Sequence, residues 1–361
     1  KSTLSLQVCQ KCAQTGKKVL YITAEESESQ LKLRAERLGE STTSLWVYAE
    51  TNMQSIIQEC ERMKPDIVLL DSIQVVYSPD LSAVSGSVGQ VRQCAHEFIS
   101  VVKEVGASGV LIGHITKDGA LAGPKVLEHL VDVILYFEGD RSQAFRLLRC
   151  FKNRFSSTQE VGLFEMKGKG LLGIQDPDRF FVESTTLSFA GSMIAAVNEG
   201  SRVFLVEVQS LVVPSGYGMA KRTFLGVDPN RANLMIAAME KILGLKLSSK
   251  DIILNIIGGL KVVEPALDLS LIVSIVSSIQ DRPARRRIGV IGEVGLTGEV
   301  RSVPHIDKRL MSFERMGFEA CILPETAVVA DRDRYKMALY PVTHIREAIK
   351  TYYNLTEVEE S

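Results

Sequence analysis

A few short strings in the 361-residue chain carry side chains that could act on a nucleotide. Lys1-Ser2-Thr3 heads the sequence and runs into an apolar helical pattern at Leu4, Leu6, Val8 and Cys12. It matches the end of G-x-x-x-x-G-K-[ST], in which the lysine reaches the β- and γ-phosphates and the hydroxyl binds Mg²⁺. The glycines of that motif are not in the sequence, so Lys1 and Ser2 fill only its last two roles, with Thr3 beside them. The stretch Lys64-Pro65-Asp66-Ile67-Val68-Leu69-Leu70-Asp71-Ser72 places a carboxylate after four branched apolar residues. That run is too short for a helix and lacks alternation, which describes a strand buried on both faces. A carboxylate leaving such a strand sits at the carboxyl edge of a parallel sheet, where ligands bind. Asp71 there suits the shell of a Mg²⁺ ion, the role of a Walker B aspartate; the alternative is a surface aspartate after a core strand. Glu25 ends a strand over 17–23 and stands where a carboxylate orients or deprotonates an attacking water. Alternatively Glu25 and Glu26 only favour the start of a helix over 27–38. His114, closing a strand over 109–114, either reads a γ-phosphate or caps the strand.

The elements that would hold these residues alternate between strand and helix. A strand over 45–48 and a helix over 53–63 lead into the Asp71 strand, and a helix over 90–105 leads into the His114 strand. Residues 78–89 read as a flexible polar loop, and 116–125 as a second loop leaving the same sheet edge; loops of this length are functional or disordered. Segments 132–137 and 144–149 read as an antiparallel pair about Gly139-Asp140-Arg141-Ser142. Residues 173–179 read as a linker or domain edge. Beyond them, Asn198-Glu199-Gly200-Ser201 joins two apolar runs as a hairpin. Asp228-Pro229 opens a helix that Gly244 ends. A strand over 252–257, the turn Gly258-Gly259, and a helix opened by Glu264-Pro265-Ala266 follow. Then come a basic cluster (Arg282, Arg285, Arg286, Arg287), a strand over 288–291, a hairpin over 292–300 and a helix over 305–316. A strand over 339–342, a helix over 345–353 and an acidic tail complete the chain.

Length and composition suit two globular domains: 45% of residues are hydrophobic, and no run reaches the roughly 18 apolar residues of a membrane span. No signal peptide is visible, although the chain starts abruptly. Six scattered cysteines make no disulfide framework and favour a reducing cytoplasm. Cys9-x-x-Cys12 lies within a helical pattern without a second pair, so it reads as core. With a net charge of −1, nucleic-acid binding would have to come from local basic patches.

Lys1-Ser2-Thr3, Asp71-Ser72-Ile73-Gln74, Gly113-His114-Ile115-Thr116-Lys117, the string from Ala122-Gly123-Pro124-Lys125 to His129, and Lys152-Asn153-Arg154-Phe155 resemble the bacterial RadA (Sms) DNA-repair ATPase family over essentially the whole chain. The resemblance implies an α/β fold. A RecA-like P-loop ATPase core, with a mostly parallel central sheet similar to the DnaB-type hexameric helicases, would span 1–180, truncated at the phosphate loop. An α+β Lon-protease-like domain would span 181–361. ATP and Mg²⁺ would be held by Lys1, Ser2, Thr3, Asp71 and His114, with Ser2 and Asp71 on the metal. Lys152 and Arg154 would reach the nucleotide of a neighbouring subunit as trans-acting cations. The loops at 78–89 and 116–125 would line a channel and touch DNA, with Arg92, Lys117 and Lys125 on phosphates. Arg285, Arg286 and Arg287 form either a further DNA surface or a solvated turn.

Two departures from the family pattern stand out. Ser156 replaces the glycine expected after Phe155, and Ala266 stands where a Lon-type peptidase carries its serine. The matching lysine position falls on Asp307, with Lys308 one residue late. Without a hydroxyl nucleophile and its lysine base, that domain is expected to be proteolytically inactive. The family also carries a four-cysteine Zn²⁺ module, which would lie upstream of Lys1. The implied activity is that of a cytoplasmic, DNA-stimulated ATPase of helicase or branch-migration type. It would act as a homo-hexameric ring on single-stranded and branched DNA in recombinational repair, beside the RecA recombinase and away from membranes. The competing classes are a Lon-like Ser/Lys peptidase and a RecA-fold signalling ATPase that binds no DNA.

Overall fold

The computed structural model describes residues 1–39, 43–114, 126–139, 145–176, 178, 182, 189–216, 219–284 and 287–356. The chain divides into two compact units. The first comprises Lys1–Glu138, Arg146–Thr158 and Phe164–Gly173; the second comprises Gly139–Phe145, Gln159–Leu163 and Ile174–Ser361. Among the described residues no helix is long and apolar enough to cross a membrane.

In the first unit, β1 (Val19–Thr23), β2 (Leu45–Ala49), β3 (Ile67–Asp71) and β4 (Ser108–Ile112) form a wholly parallel sheet in the order β2-β1-β3-β4. Parallel neighbours need crossovers, supplied by α2 (Glu28–Arg37), α3 (Met53–Met63) and α4 (Val88–Glu104), while α1 (Ser2–Gln14) precedes β1. Strand alternation sends Leu20, Ile22, Val68 and Leu70 into one core with α3 and α4. Val19, Tyr21 and Leu69 point the other way, against Leu6, Cys9 and Ala13 of α1. The fold is therefore α/β with a parallel central sheet covered on both faces, the RecA-like core. Helix starts follow their caps: Ser27 forms a capping box with Gln30, Asn52 caps α3 and Ser87 caps α4. The Ser87 cap starts α4 two residues earlier than the apolar pattern suggested.

The loop before α4 is exposed over residues 79–85, as its polar sequence suggested, and is also bonded to the helix that follows. Gln90 is buried on the first turn of α4 and its amide donates to the carbonyls of Ser78, Leu81 and Ala83, while its oxygen accepts from the Ser78 N–H. One side chain thus reaches four backbone groups, its two N–H bonds shared among three carbonyls, and joins the loop to the helix start.

A second, four-stranded sheet has the order β5 (Val133–Glu138), β6 (Phe145–Asn153), β7 (Val161–Lys167), β8 (Gly170–Gly173). Gln7 of α1 pairs with both the N–H and the carbonyl of Leu171, fixing β8 on α1. Gly170 has φ +106°, and a Cβ there would meet Leu38 at 2.6 Å, so the close approach needs glycine.

The second unit is built on a mixed seven-stranded sheet. Its strands are β9 (Ser192–Glu199), β10 (Arg202–Pro214), β11 (Arg222–Leu225), β12 (Lys250–Ile256), β13 (Ile288–Val290), β16 (Ala320–Pro324) and β17 (Ala338–Val342), in the order β11-β12-β10-β9-β13-β16-β17. The ribbon β14 (Glu293–Val294) and β15 (Val300–Arg301) stands apart from it. The sequence reading missed β11 and β16. The helix Asp268–Gln280 is buried through Ser277, and its hydroxyls find partners: Ser270 donates to the Val290 carbonyl and Ser274 meets Ser210 at 2.6 Å. Asp228 caps the helix Pro229–Leu243 and Gly244 closes it in the left-handed region, as expected. The expected linker is corrected at Asp178, which is fully buried, accepts the Leu205 N–H at 2.8 Å and pairs with Arg315.

Replacing Gln90 by alanine strands four backbone groups and should lower unfolding free energy by about 2–3 kcal/mol. Amide exchange across residues 78–87 should accelerate well beyond that of the α3 core; unaltered exchange in the loop would show that other contacts hold it.

Candidate nucleotide site at the carboxyl edge of the parallel sheet

The register of the parallel sheet brings distant residues to one edge. Thr23, Asp71 and Ile112 are direct neighbours across β1, β3 and β4, so their strands end level. Glu25, Ser72 and His114 follow immediately. Ladder bonds persist past the ends, with the Ala24 N–H on the Asp71 carbonyl at 2.8 Å and the Ile73 N–H on the Ile112 carbonyl at 3.1 Å. Thr23 folds the chain back by donating to the Glu26 carbonyl at 2.8 Å.

Lys1 caps α1 and its ammonium donates to the Gly113 carbonyl, at the end of β4. Burial pulls the Lys1 pKa below the usual lysine range, and the nearby Asp71 carboxylate opposes that pull. Ser2 and Thr3 form the first turn of α1, half-buried. Asp71 is almost wholly buried. Its Oδ2 accepts the Tyr21 hydroxyl at 2.7 Å, and its Oδ1 is buried without a hydrogen-bond partner. Glu25 accepts a hydrogen bond from the fully buried Ser72 hydroxyl, and the same oxygen lies 3.6 Å from His114 Nε2. Gln74 donates to the His114 carbonyl at 3.1 Å. Lys1, Asp71, Glu25 and His114 are therefore brought together. Sequence reasoning missed the roles of Tyr21, Ser72 and Gln74, which act on these residues through side-chain bonds across strands.

The donor set fits Mg²⁺. An orphaned carboxylate oxygen on Asp71 and the half-buried Lys1 ammonium stand near one edge, and Ser2 follows Lys1 on the first turn of α1. Mg²⁺ at nucleotide sites is held by one or two protein oxygens together with substrate phosphates, and the unpaired Asp71 oxygen can supply one of them.

Lys152 and Arg154 stand elsewhere in the same unit. Lys152 Nζ donates to the carbonyls of Glu128 and Val131 at 2.6 and 2.7 Å, and Arg154 pairs with Asp132 at 3.0 Å. Both cations reach the segment 128–132, and neither is bonded to the Lys1–Asp71 cluster. Asn153 accepts the N–H groups of Phe155 and Ser156 at 3.0 and 3.2 Å. Ser156 has no positive φ, so the turn accepts serine where the family has glycine. Arg92 is exposed on α4. Lys117 and Lys125, with the loop 116–125, lie outside the described residues, as do Arg285 and Arg286. Arg287 is half-buried, and its guanidinium donates to the Met316 carbonyl at 2.6 Å, closing the helix Ile306–Arg315. That engagement gives Arg287 a structural partner the sequence reading did not foresee.

Comparison with known proteins bears on both units. The chain is 45% identical over 353 residues to the DNA repair protein RadA of Streptococcus pneumoniae, covering 98% of this chain and 84% of that protein. It is 46% identical over 325 residues to RadA of Listeria monocytogenes, covering 90% and 71%. To RadA of Bacillus subtilis it is 44% identical over 351 residues, covering 97% and 77%. The chain belongs to the RadA family of DNA repair proteins. A family model described as subunit ChlI of Mg-chelatase matches residues 230–327, wholly within the second unit.

Within that match, Ala266 is buried and has no nucleophile. Asp307 accepts the Tyr335 hydroxyl at 3.1 Å, and Lys308 reaches the Ser201 carbonyl at 3.3 Å. Arg309 is completely buried; it donates to Glu264 and to the Ala196 and Pro304 carbonyls, while Glu264 also accepts the Asn198 N–H.

Arg309→Ala leaves Glu264 without its counter-charge and should destabilise the second unit by about 3–5 kcal/mol in chemical denaturation. Arg309→Met combined with Glu264→Gln, which removes both charges and keeps an acceptor for Asn198, should recover a substantial part. No recovery would mean that the packing of the arginine, not its charge, is what the unit requires.

Proposed function

We propose that this chain is a Mg²⁺-dependent ATPase of DNA repair, stimulated by single-stranded and branched DNA and working as a hexameric ring of helicase or branch-migration type in recombinational repair, beside the RecA recombinase. The carrying observation is the gathering of Lys1, Asp71, Glu25 and His114 at one parallel sheet edge, with one Asp71 oxygen left open. Lys1 meets the β- and γ-phosphates of ATP, Ser2 and Asp71 hold the metal, and Thr3 assists at the helix N-terminus. Mg²⁺ supplies neutralisation of charge on the phosphate oxygens. Glu25, oriented by Ser72, holds the attacking water and takes its proton. His114, beside Glu25 and at the root of the loop 116–125, links phosphate occupancy to that loop.

Lys152 and Arg154 act in trans on the nucleotide of the neighbouring subunit, and the Arg154–Asp132 pair, exposed at the surface, exchanges for that contact. DNA phosphates are met by Arg92, Lys117 and Lys125, and by Arg285, Arg286 and Arg287, the last of which also donates to the Met316 carbonyl. The second unit, a Lon-like domain without peptidase activity, serves as a scaffold and DNA surface. Ala266 and Asp307 disfavour the peptidase reading, and stimulation by single strands separates the repair reading from a signalling ATPase. The Zn²⁺ module belongs to the family's N-terminal region, upstream of Lys1.

Two experiments test this. Lys1→Ala should abolish nucleotide binding, whereas Glu25→Gln should bind ATP normally and lose at least 100-fold in single-strand-stimulated turnover. Equal loss of binding in both would refute the division of roles. Arg154→Ala should bind ATP yet lose on the order of 10³-fold in hydrolysis. Mixing it with Lys1→Ala should restore activity, since mixed rings contain intact clefts. Inactivity at every ratio, with subunit exchange demonstrated, would place Arg154 in its own subunit's structure.

A further inference from the structure

Tyr21 carries a buried hydroxyl that the mechanism above leaves unused. In the β1–β3 register Tyr21 lies opposite Leu69, and Thr23 lies opposite Asp71. Side chains alternate with a period of two, so Tyr21, Leu69 and Asp71 share the face that packs on α1. Diagonal neighbours on one sheet face lie within reach of an aromatic side chain, and the Tyr21 hydroxyl meets Asp71 Oδ2 at 2.7 Å. The tyrosine is completely buried in the core formed with Leu6, Cys9 and Ala13, so its ring has one place to be.

This bond distinguishes the two carboxylate oxygens. Oδ2 is turned toward the core and occupied, while Oδ1 is buried and has no hydrogen-bond partner. A terminal carboxylate torsion is broad and nearly two-fold, so an untethered aspartate at a strand end samples many orientations. An open, buried acceptor on a tethered carboxylate is a group held ready for a cation or its water shell, since leaving it unpaired is unfavourable by itself.

We propose that Tyr21 is a positioning residue of the metal–nucleotide site: its hydroxyl fixes the plane of Asp71 so that Oδ1 alone faces the ion. The proposal rests on Asp71 being the metal carboxylate. A Tyr21 that merely satisfied a buried carboxylate would affect stability and nothing else.

The test is a Mg²⁺ titration of the binding of a fluorescent ATP analogue, a readout independent of turnover, on the wild type, Tyr21→Phe, Asp71→Asn and the double variant. Tyr21→Phe keeps the ring and should keep the fold, checked by circular dichroism. It should raise the Mg²⁺ midpoint roughly tenfold while leaving analogue binding in EDTA unchanged. Asp71→Asn should raise the midpoint further, and the double variant should match Asp71→Asn, because Tyr21 acts through Asp71. A midpoint moved by Asp71→Asn but not by Tyr21→Phe would overturn the positioning role and leave the metal reading of Asp71 standing. A midpoint insensitive to Asp71→Asn would overturn both. Additive shifts in the double variant would show that Tyr21 acts by another route and would also overturn the proposal.

Discussion

Level termination of three parallel strands is the constraint on which the first unit depends. Thr23, Asp71 and Ile112 occupy one line across the sheet because β1, β3 and β4 are paired without offset. A shift of one residue in β3 would turn Asp71 to the opposite face, away from α1 and Lys1, and would send Leu70 toward α1 instead. The apolar alternation forbids that slip, because Val68 and Leu70 serve the core with α3 and α4 while Leu69 serves the core with α1. Packing in the interior thus decides which side chains meet at the edge.

The second unit follows a different logic around its buried charges. Glu264 directly precedes Pro265-Ala266, and its carboxylate is gripped by Arg309 while also holding the Asn198 N–H. Arg231 pairs with buried Asp268 and with Glu293, and Asp268 accepts the Val294 N–H at 3.0 Å. Burying such ions is unfavourable unless they are paired and fully hydrogen-bonded. Here each cation joins chain segments far apart in sequence: Arg309 ties the helix Ile306–Arg315 to β9 and to Glu264, and Arg231 ties three segments. These ions therefore join segments that are distant in the sequence through directed bonds, which the aliphatic residues around them cannot make.

Much of this was legible from the chain alone, and the failures have a common cause. The placement of Asp71, Glu25 and His114 at the carboxyl edge was legible because a strand that ends in a polar residue is a local pattern. Asp228-Pro229 and Gly244 marked their helix because caps act within four residues. Tyr21, by contrast, looked like one more apolar strand residue, and only the register with β3 shows that its hydroxyl has a carboxylate to meet. Gln90 read as a polar residue at a helix start, and Asp178 as part of a linker, because their partners are backbone groups that folding alone brings near. Residues 320–324 went unread as a strand, although they are buried throughout, since five apolar residues ending at Pro324 carry no period of their own. Local patterns report local interactions, and contacts that join separate segments leave no trace in spacing.

The attachment of the 78–87 loop to Gln90 ties exposed and buried parts of the unit together. Contacts from one side chain to Ser78, Leu81 and Ala83 join the loop to the first turn of α4. At its tip Val84 is 82% exposed. At the far end of the same helix Phe98 and Val102 lie against Gly109 of β4 so closely that a Cβ there would come within 2.9 Å of the Phe98 ring. One chain of side-chain contacts therefore runs from the exposed loop, through Gln90 and the seventeen residues of α4, to the strand that ends two residues before His114.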